Sequence, residues 1–229
     1  MASPLGPSSE LVERMNLPRF ISLDGIDGVG KSTQIAKLAE RLTQTGCVVM
    51  TVRDPGSTEI GARLRAILLD SDLRMNRLTE AMLFMASRTE MIETILRPAL
   101  AAGKTIISDR FLLANVVYQS TGDDRASGKP TVAPETLWQM GRIACGGLSP
   151  DLTLVLDMPV EVAMARLDGP ADRMEARGKD YMARVREAFL KELPHTGGRA
   201  EVIDAQGSPD EVAERVWAAV ASQGRSVDR

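Results

Sequence analysis

Histidine is almost missing from this 229-residue chain: His195 stands alone. A histidine metal cage is therefore excluded; His195, near the C-terminal end of a predicted helix, reads as an exposed helix-end residue, and chemistry without it rests on carboxylates, Lys, Arg, a metal or backbone amides. Cysteine is nearly as scarce. Cys47 and Cys145 are the only two; they lack metal-like spacing, are too few for an oxidised framework, and read as buried thiols. No apolar run approaches the roughly 18 residues that would cross a membrane. The first 18 residues contain Pro4, Pro7 and Pro18 among several serines, which is not the pattern of a signal peptide. A cytoplasmic location without membrane attachment is the expectation. A large charge of either sign is also lacking: the net charge is −3, which argues against the basic face of a nucleic-acid binder.

What is present is alternation. Short apolar runs at Arg19–Asp24, Val48–Arg53, Thr105–Asp109, Leu152–Asp157 and Glu201–Asp204 read as strands. Between them lie helix-period segments. Ile35, Leu38, Ala39 and Leu42 recur at i, i+3, i+4, i+7, as do Ala213, Val216, Trp217 and Val220. The last helix opens on Ser208-Pro209-Asp210-Glu211, a capping box with proline at the first helical position. Strands alternating with helices predict an α/β fold, a parallel sheet covered on both faces. Ligands then bind beyond the carboxyl ends of the strands, where Asp24, Arg53, Asp109, Asp157 and Asp204 are expected to line a cleft. Residues 1–18 and 223–229 are expected to be loose tails on a single domain spanning 19–222. Two polar segments interrupt it, Thr121–Pro134 and about 167–180.

The strongest chemical signal is Gly25-Ile26-Asp27-Gly28-Val29-Gly30-Lys31-Ser32, which fits G-x-x-x-x-G-K-[ST] between a strand and a helix. Glycines let successive N–H groups turn inward as an anion nest, and the helix behind adds free amides and its dipole. Lys31 brings a point charge to the β- and γ-phosphates of a nucleotide, and the Ser32 hydroxyl is a ligand for Mg²⁺. A GTPase would need an Asn-Lys-x-Asp base reader, and no Asn-Lys pair occurs. An ATPase strand ending in Asp-Glu is also missing. Both absences favour a small kinase.

From about Arg19 to Val220 the chain resembles the bacterial thymidylate kinases, on four matches in the family's order. They are the phosphate loop with acidic Asp27; Arg53-Asp54-Pro55-Gly56-Ser57-Thr58, close to R-E-P-G-G-T; Phe84-Met85-Ala86-Ser87-Arg88; and Asp109-Arg110-Phe111 followed by Val117-Tyr118-Gln119. Asp172-Arg173-Met174-Glu175 is similar to the family's lid. The resemblance implies a three-layer P-loop sandwich with five parallel strands in the order 2-3-1-4-5. It also implies a short lid at about 167–180, a homodimer, and γ-phosphoryl transfer from ATP to dTMP with Mg²⁺. Arg53 and Arg110, at the ends of neighbouring strands, are placed to clamp the acceptor phosphate bidentately. By resemblance, Asp27 orients the acceptor and Asp109 reaches Mg²⁺ through water. Phe84 stacks on thymine, Arg88 points at a thymine carbonyl, Gln119 meets the base edge, and Tyr118 fills the space of a ribose 2′-hydroxyl.

The lid departs from the family. Where some members carry Arg in the loop, position 28 is Gly, so catalytic charge is expected from the lid. There Arg166, Arg173, Arg177 and Lys179 are balanced by Asp168, Asp172, Glu175 and Asp180. Arg166 is expected to position ATP, and Arg173 to join Asp27, Lys31 and Arg110 in catalysis. A kinase for another nucleoside monophosphate and a catalytically weak nucleotide-binding protein are the alternatives.

Overall fold

The computed structural model describes residues 17–70, 72–122, 132–167 and 178–222. Most of both expected tails, most of the lid segment and most of the Thr121–Pro134 loop lie outside these residues. Leu17, assigned to the tail by sequence, is buried and belongs to the core.

The described residues form one five-stranded sheet in the order β2-β3-β1-β4-β5, with every pairing parallel. The strands are β1 (Phe20–Asp24), β2 (Val49–Arg53), β3 (Thr105–Asp109), β4 (Leu152–Asp157) and β5 (Arg199–Asp204). Each ends at the residue expected from sequence. The starts of β3 and β4 also match, those of β1 and β2 come one residue later, and β5 starts two residues earlier, where Arg199 and Ala200 pair with Leu152 and Thr153 although the pair is not strongly apolar. All five residues of β1 are buried, and nearly all of β3 and β4. Burial on both sides of a strand requires helices on both faces, and near-continuous apolar strands are its sequence mark.

Helix α1 (Lys31–Gln44) buries Ile35, Leu38 and Leu42, the stripe predicted by periodicity. It packs with α9 (Pro209–Ala221), and the pairs Lys37–Asp210 and Arg41–Glu214, both at 2.6 Å, join their outer faces. The predicted capping box is present: Glu211 N–H donates to Ser208 Oγ at 3.3 Å, and Ser208 N–H to Glu211 Oε2 at 2.7 Å. Helices α2 (Glu59–Leu69) and α3 (Arg77–Met91) pack together. Their N-termini are capped by Thr58 and Asn76, each accepting a backbone N–H at 2.8 Å. A π turn at Ile92–Leu96 leads from α3 into α4 (Arg97–Ala101).

A second helical group comprises α3, α5 (Leu112–Ser120), α6 (Pro134–Ala144) and α8 (Lys179–Glu192). Every residue of α5 is buried, so polar residues on this helix must find partners inside the protein. The short α7 (Val160–Met164) lies beside the phosphate loop. His195 closes a 3₁₀ turn after α8 and is exposed, and both cysteines are buried and unbonded.

Candidate active site

The loop from Gly25 to Ser32 joins β1 to α1, as its sequence requires. Gly25, Gly28 and Gly30 all have positive φ. At Gly28 (φ +83°) a Cβ would stand 2.0 Å from the carbonyl oxygen of Ala163 in α7. Glycine here is thus fixed by conformation and by space. The same contact explains why no side chain, arginine included, can project from position 28 in this arrangement.

Lys31 is folded over its own loop. Its Nζ donates to the carbonyls of Gly25 (3.1 Å) and Ile26 (2.8 Å) and meets Asp27 Oδ1 at 3.4 Å. Burial and the nearby Arg110 guanidinium pull its pKa down to about 8. Asp27 shows the opposite balance. Burial would raise its pKa, but Arg110 and Lys31 together hold it at about 2, so it is an acceptor and not an acid near neutrality.

Arg110 is the hub of the site. It follows β3, has φ of 68°, an uncommon conformation for a non-glycine residue, and buries its guanidinium against the loop. Nη1 donates to Gly25 O at 2.9 Å, and Nη2 to Asp27 Oδ1 at 2.6 Å and Tyr118 Oη at 3.3 Å. Burial disfavours its charge, yet the surrounding oxygens hold it firmly protonated. Tyr118 Oη in turn donates to Asp27 Oδ2 at 3.4 Å, and burial pushes its phenol well above the usual range. Arg53 is more exposed and is paired through Nε with Asp109 Oδ2 at 3.1 Å.

Two cavities meet at these residues. One, of about 560 Å³, contains the loop from Asp27 onward, the exposed Ser32, and Arg53, Asp109 and Arg166. The other, of about 110 Å³, is bounded by Phe84, Arg88, Phe111, Asn115, Tyr118 and Gln119. Asp27, Asp54, Arg65 and Arg110 line both. Every described residue singled out from sequence for a substrate is thus in one cavity wall or in the loop itself. Arg173 lies outside the described residues.

The expectation for the strand ends needs correction. Arg53 and Asp109 line the larger cavity, but Asp157 is held by Arg186 through two bonds of 2.6 and 2.7 Å. Asp204 accepts from Gln206 in the following turn. Asp24 is wholly buried. Burial raises its pKa to about 6 despite Arg110, Ser22 and Lys31, and Oδ1 has no partner among the described residues. The same is true of Asp109 Oδ1. No described cluster of three or more His, Cys, Asp or Glu side chains forms a metal cage. A hydroxyl with one or two unsatisfied carboxylate oxygens suits a hard cation that keeps its waters and shares its shell with phosphates.

The smaller cavity carries polar detail that sequence did not reveal. Arg88 is 1% exposed and its Nε donates to Asp54 Oδ2 at 2.5 Å. Burial outweighs this partner and pushes the Asp54 pKa up. Arg88 Nη1 donates to Asn115 Oδ1 at 3.1 Å, and Asn115 Nδ2 to Gln119 Oε1 at 2.6 Å. Asn115 and Gln119 are four apart on the apolar α5; two amides at that spacing, on a helix otherwise so apolar, are the signal that could have revealed the pair. Arg65 donates to Pro55 O at 3.1 Å between the two cavities.

Fold and site together define a P-loop phosphotransferase with two cavities that meet at the phosphate loop. A family model described as thymidylate kinase matches residues 23–216. The chain is 65% identical over 200 residues to the thymidylate kinase of Rhodopirellula baltica, covering 87% of this chain and 79% of that protein. It is 40% identical to thymidylate kinases of Synechococcus sp. (88% and 93% of the two chains) and Neisseria gonorrhoeae (87% and 94%). The chain belongs to the thymidylate kinase family.

Proposed function

We propose that this chain transfers the γ-phosphoryl of ATP to dTMP, giving dTDP, with Mg²⁺ as the metal. The reading is carried by the junction of two unlike cavities at Asp27 and Arg110. The large one has a phosphate cradle. The small one has an aromatic side chain, a buried arginine and two amides, the groups that suit a planar heterocycle with polar edges.

In this reading Gly25, Ile26, Gly28, Val29, Gly30 and Ser32 hold the ATP phosphates through backbone amides, while Lys31 leaves its loop carbonyls for the β- and γ-oxygens. Arg166 lies against the nucleotide. Arg110 and Arg53 hold the acceptor phosphate, Phe84 stacks on the base, Arg88 reads its edge beside Asn115, and Tyr118 packs under the sugar; Gln119, expected at that edge, supports it from behind through Asn115. Asp27 orients the acceptor. Ser32 and Asp109 would hold Mg²⁺, which when bound neutralises phosphate charge. The protein's share of catalysis is positioning and charge, as in phosphoryl transfer generally, and Arg173 adds lid charge.

We place the protein in the cytoplasm, where buried, unbonded Cys47 and Cys145 suit a reducing compartment. No described helix is long and apolar enough to cross a membrane. A homodimer is supported by Ile60 and Ile67 on α2 and Leu78 and Met82 on α3, all 40 to 54% exposed on two packed helices.

Steady-state rates with dTMP, dUMP, dCMP and CMP test the assignment. ADP release should depend on dTMP and be much slower with CMP. Equal rates with every acceptor, or none with dTMP, would overturn it.

A further inference from the structure

Behind the small cavity runs a line of buried polar side chains that joins two helices, α3 and α5. Arg88 on α3 donates to Asn115 Oδ1, Asn115 Nδ2 donates to Gln119 Oε1, and Gln119 Nε2 donates to Glu80 Oε1 at 2.9 Å. Glu80 is back on α3, two turns before Arg88. It is wholly buried, as is Gln119, and Arg77 lies 3.3 Å away.

An amide can face either way, and its neighbours decide which. A guanidinium only donates, so Asn115 must turn its oxygen to Arg88 and its nitrogen to Gln119. A carboxylate only accepts, so Gln119 must turn its nitrogen to Glu80 and its oxygen to Asn115. Each end demands the same direction. Reversing the amides would set N–H against N–H at Arg88 and oxygen against oxygen at Glu80, two buried mismatches in one line.

The direction matters to a base in the cavity. It puts a donor, Arg88, next to an acceptor, Asn115 Oδ1, on two side chains that both line the cavity. That order complements a 4-oxo pyrimidine, in which O4 accepts and the adjoining N3–H donates. A 4-amino pyrimidine presents the reverse order. We propose that Glu80, which touches no substrate, is a positioning residue for base selectivity. From behind the pocket it fixes the direction of the Gln119 and Asn115 amides and so favours 4-oxo over 4-amino pyrimidine nucleotides. The proposal rests on the reading of the small cavity as the acceptor's base site.

Glu80→Gln tests it, because the variant keeps the shape but can present N–H as well as oxygen. The preference for dTMP over dCMP, as a ratio of kcat/KM, should narrow on the order of tenfold, the worth of about one buried hydrogen bond of intermediate strength. The change should fall mainly in the KM of the acceptor. The KM for ATP should stay, and so should the dTMP-to-dUMP ratio, since those two bases share one polar edge and differ by a methyl group. Glu80→Asp keeps an acceptor-only group and should retain the dTMP-to-dCMP preference even if its melting temperature drops. An unchanged dTMP-to-dCMP ratio in Glu80→Gln overturns the proposal. So does a loss in Glu80→Asp that tracks melting temperature and affects all acceptors alike. Should Glu80→Gln not fold, the same ratio is read for Glu80→Leu, which removes the acceptor and should narrow the preference likewise; an unchanged ratio there overturns the proposal. Failure of the wild-type protein to use dTMP is a separate result, which removes the base-site reading itself.

Discussion

Asp24 ends the central strand under the phosphate loop, and its charge is poorly met: Ser22 Oγ donates to Oδ2 at 3.2 Å while Oδ1 has no described partner. Burial lifts its folded pKa to about 6, above the ordinary 3.8 of an exposed aspartate. A raised carboxylate favours the folded state below the unfolded pKa, and that advantage is lost as pH rises through the folded one. Two pKa units correspond to about 3 kcal/mol. Asp24→Asn, which cannot ionise, should therefore gain on the wild type by up to about 3 kcal/mol between pH 4 and pH 7. Denaturant unfolding at both pH values measures this difference; a pH-independent gap would mean that Asp24 does not titrate in this range. Asp24 was legible as a strand-end carboxylate, but its burial was not, because the depth of a strand end depends on the loop folded over it. The Arg88–Asp54 pair was hidden for a similar reason. The two residues are 34 apart in sequence, and no local pattern marks a partner at that distance. The loop residues were legible because their chemistry is contiguous.

At the scale of elements, the strands and the amphipathic stripe of α1 were readable because burial imposes a period on sequence. The small α7 was not foreseen, since five residues carry too little periodicity. Yet α7 sets a sharp constraint on the phosphate loop. Gly28 and Gly30 have nearly the same positive φ, but a Cβ on Gly28 meets the Ala163 carbonyl at 2.0 Å, whereas one on Gly30 meets nothing within 4 Å. Gly30→Ala should therefore lose only the conformational term, about 1 to 2 kcal/mol. Gly28→Ala must also displace α7 or the loop, and should show the larger loss in melting temperature and a clear rise in the KM for ATP. Equal effects of the two substitutions would show that the α7 contact is easily relaxed.

For the whole molecule, sheet order followed from resemblance, while the apolar stripes on α2 and α3 became visible only when these helices were seen packed side by side. If those stripes bury each other in a dimer, Met82→Glu should yield monomers by sedimentation, because a charge in an apolar interface is not tolerated without a partner. A dimer that survives this change would place the interface elsewhere. Arg110 has a different consequence at this scale. One guanidinium is bonded to the Gly25 carbonyl, to Asp27 and to Tyr118, so the walls of both compartments lean on the same charge. Whatever draws Arg110 away from Asp27 on one side alters what a ligand meets on the other. With a donor in one compartment and an acceptor in the other, as proposed, such heterotropic linkage would be reciprocal: the factor by which donor occupancy changes acceptor affinity must equal the factor in the opposite direction.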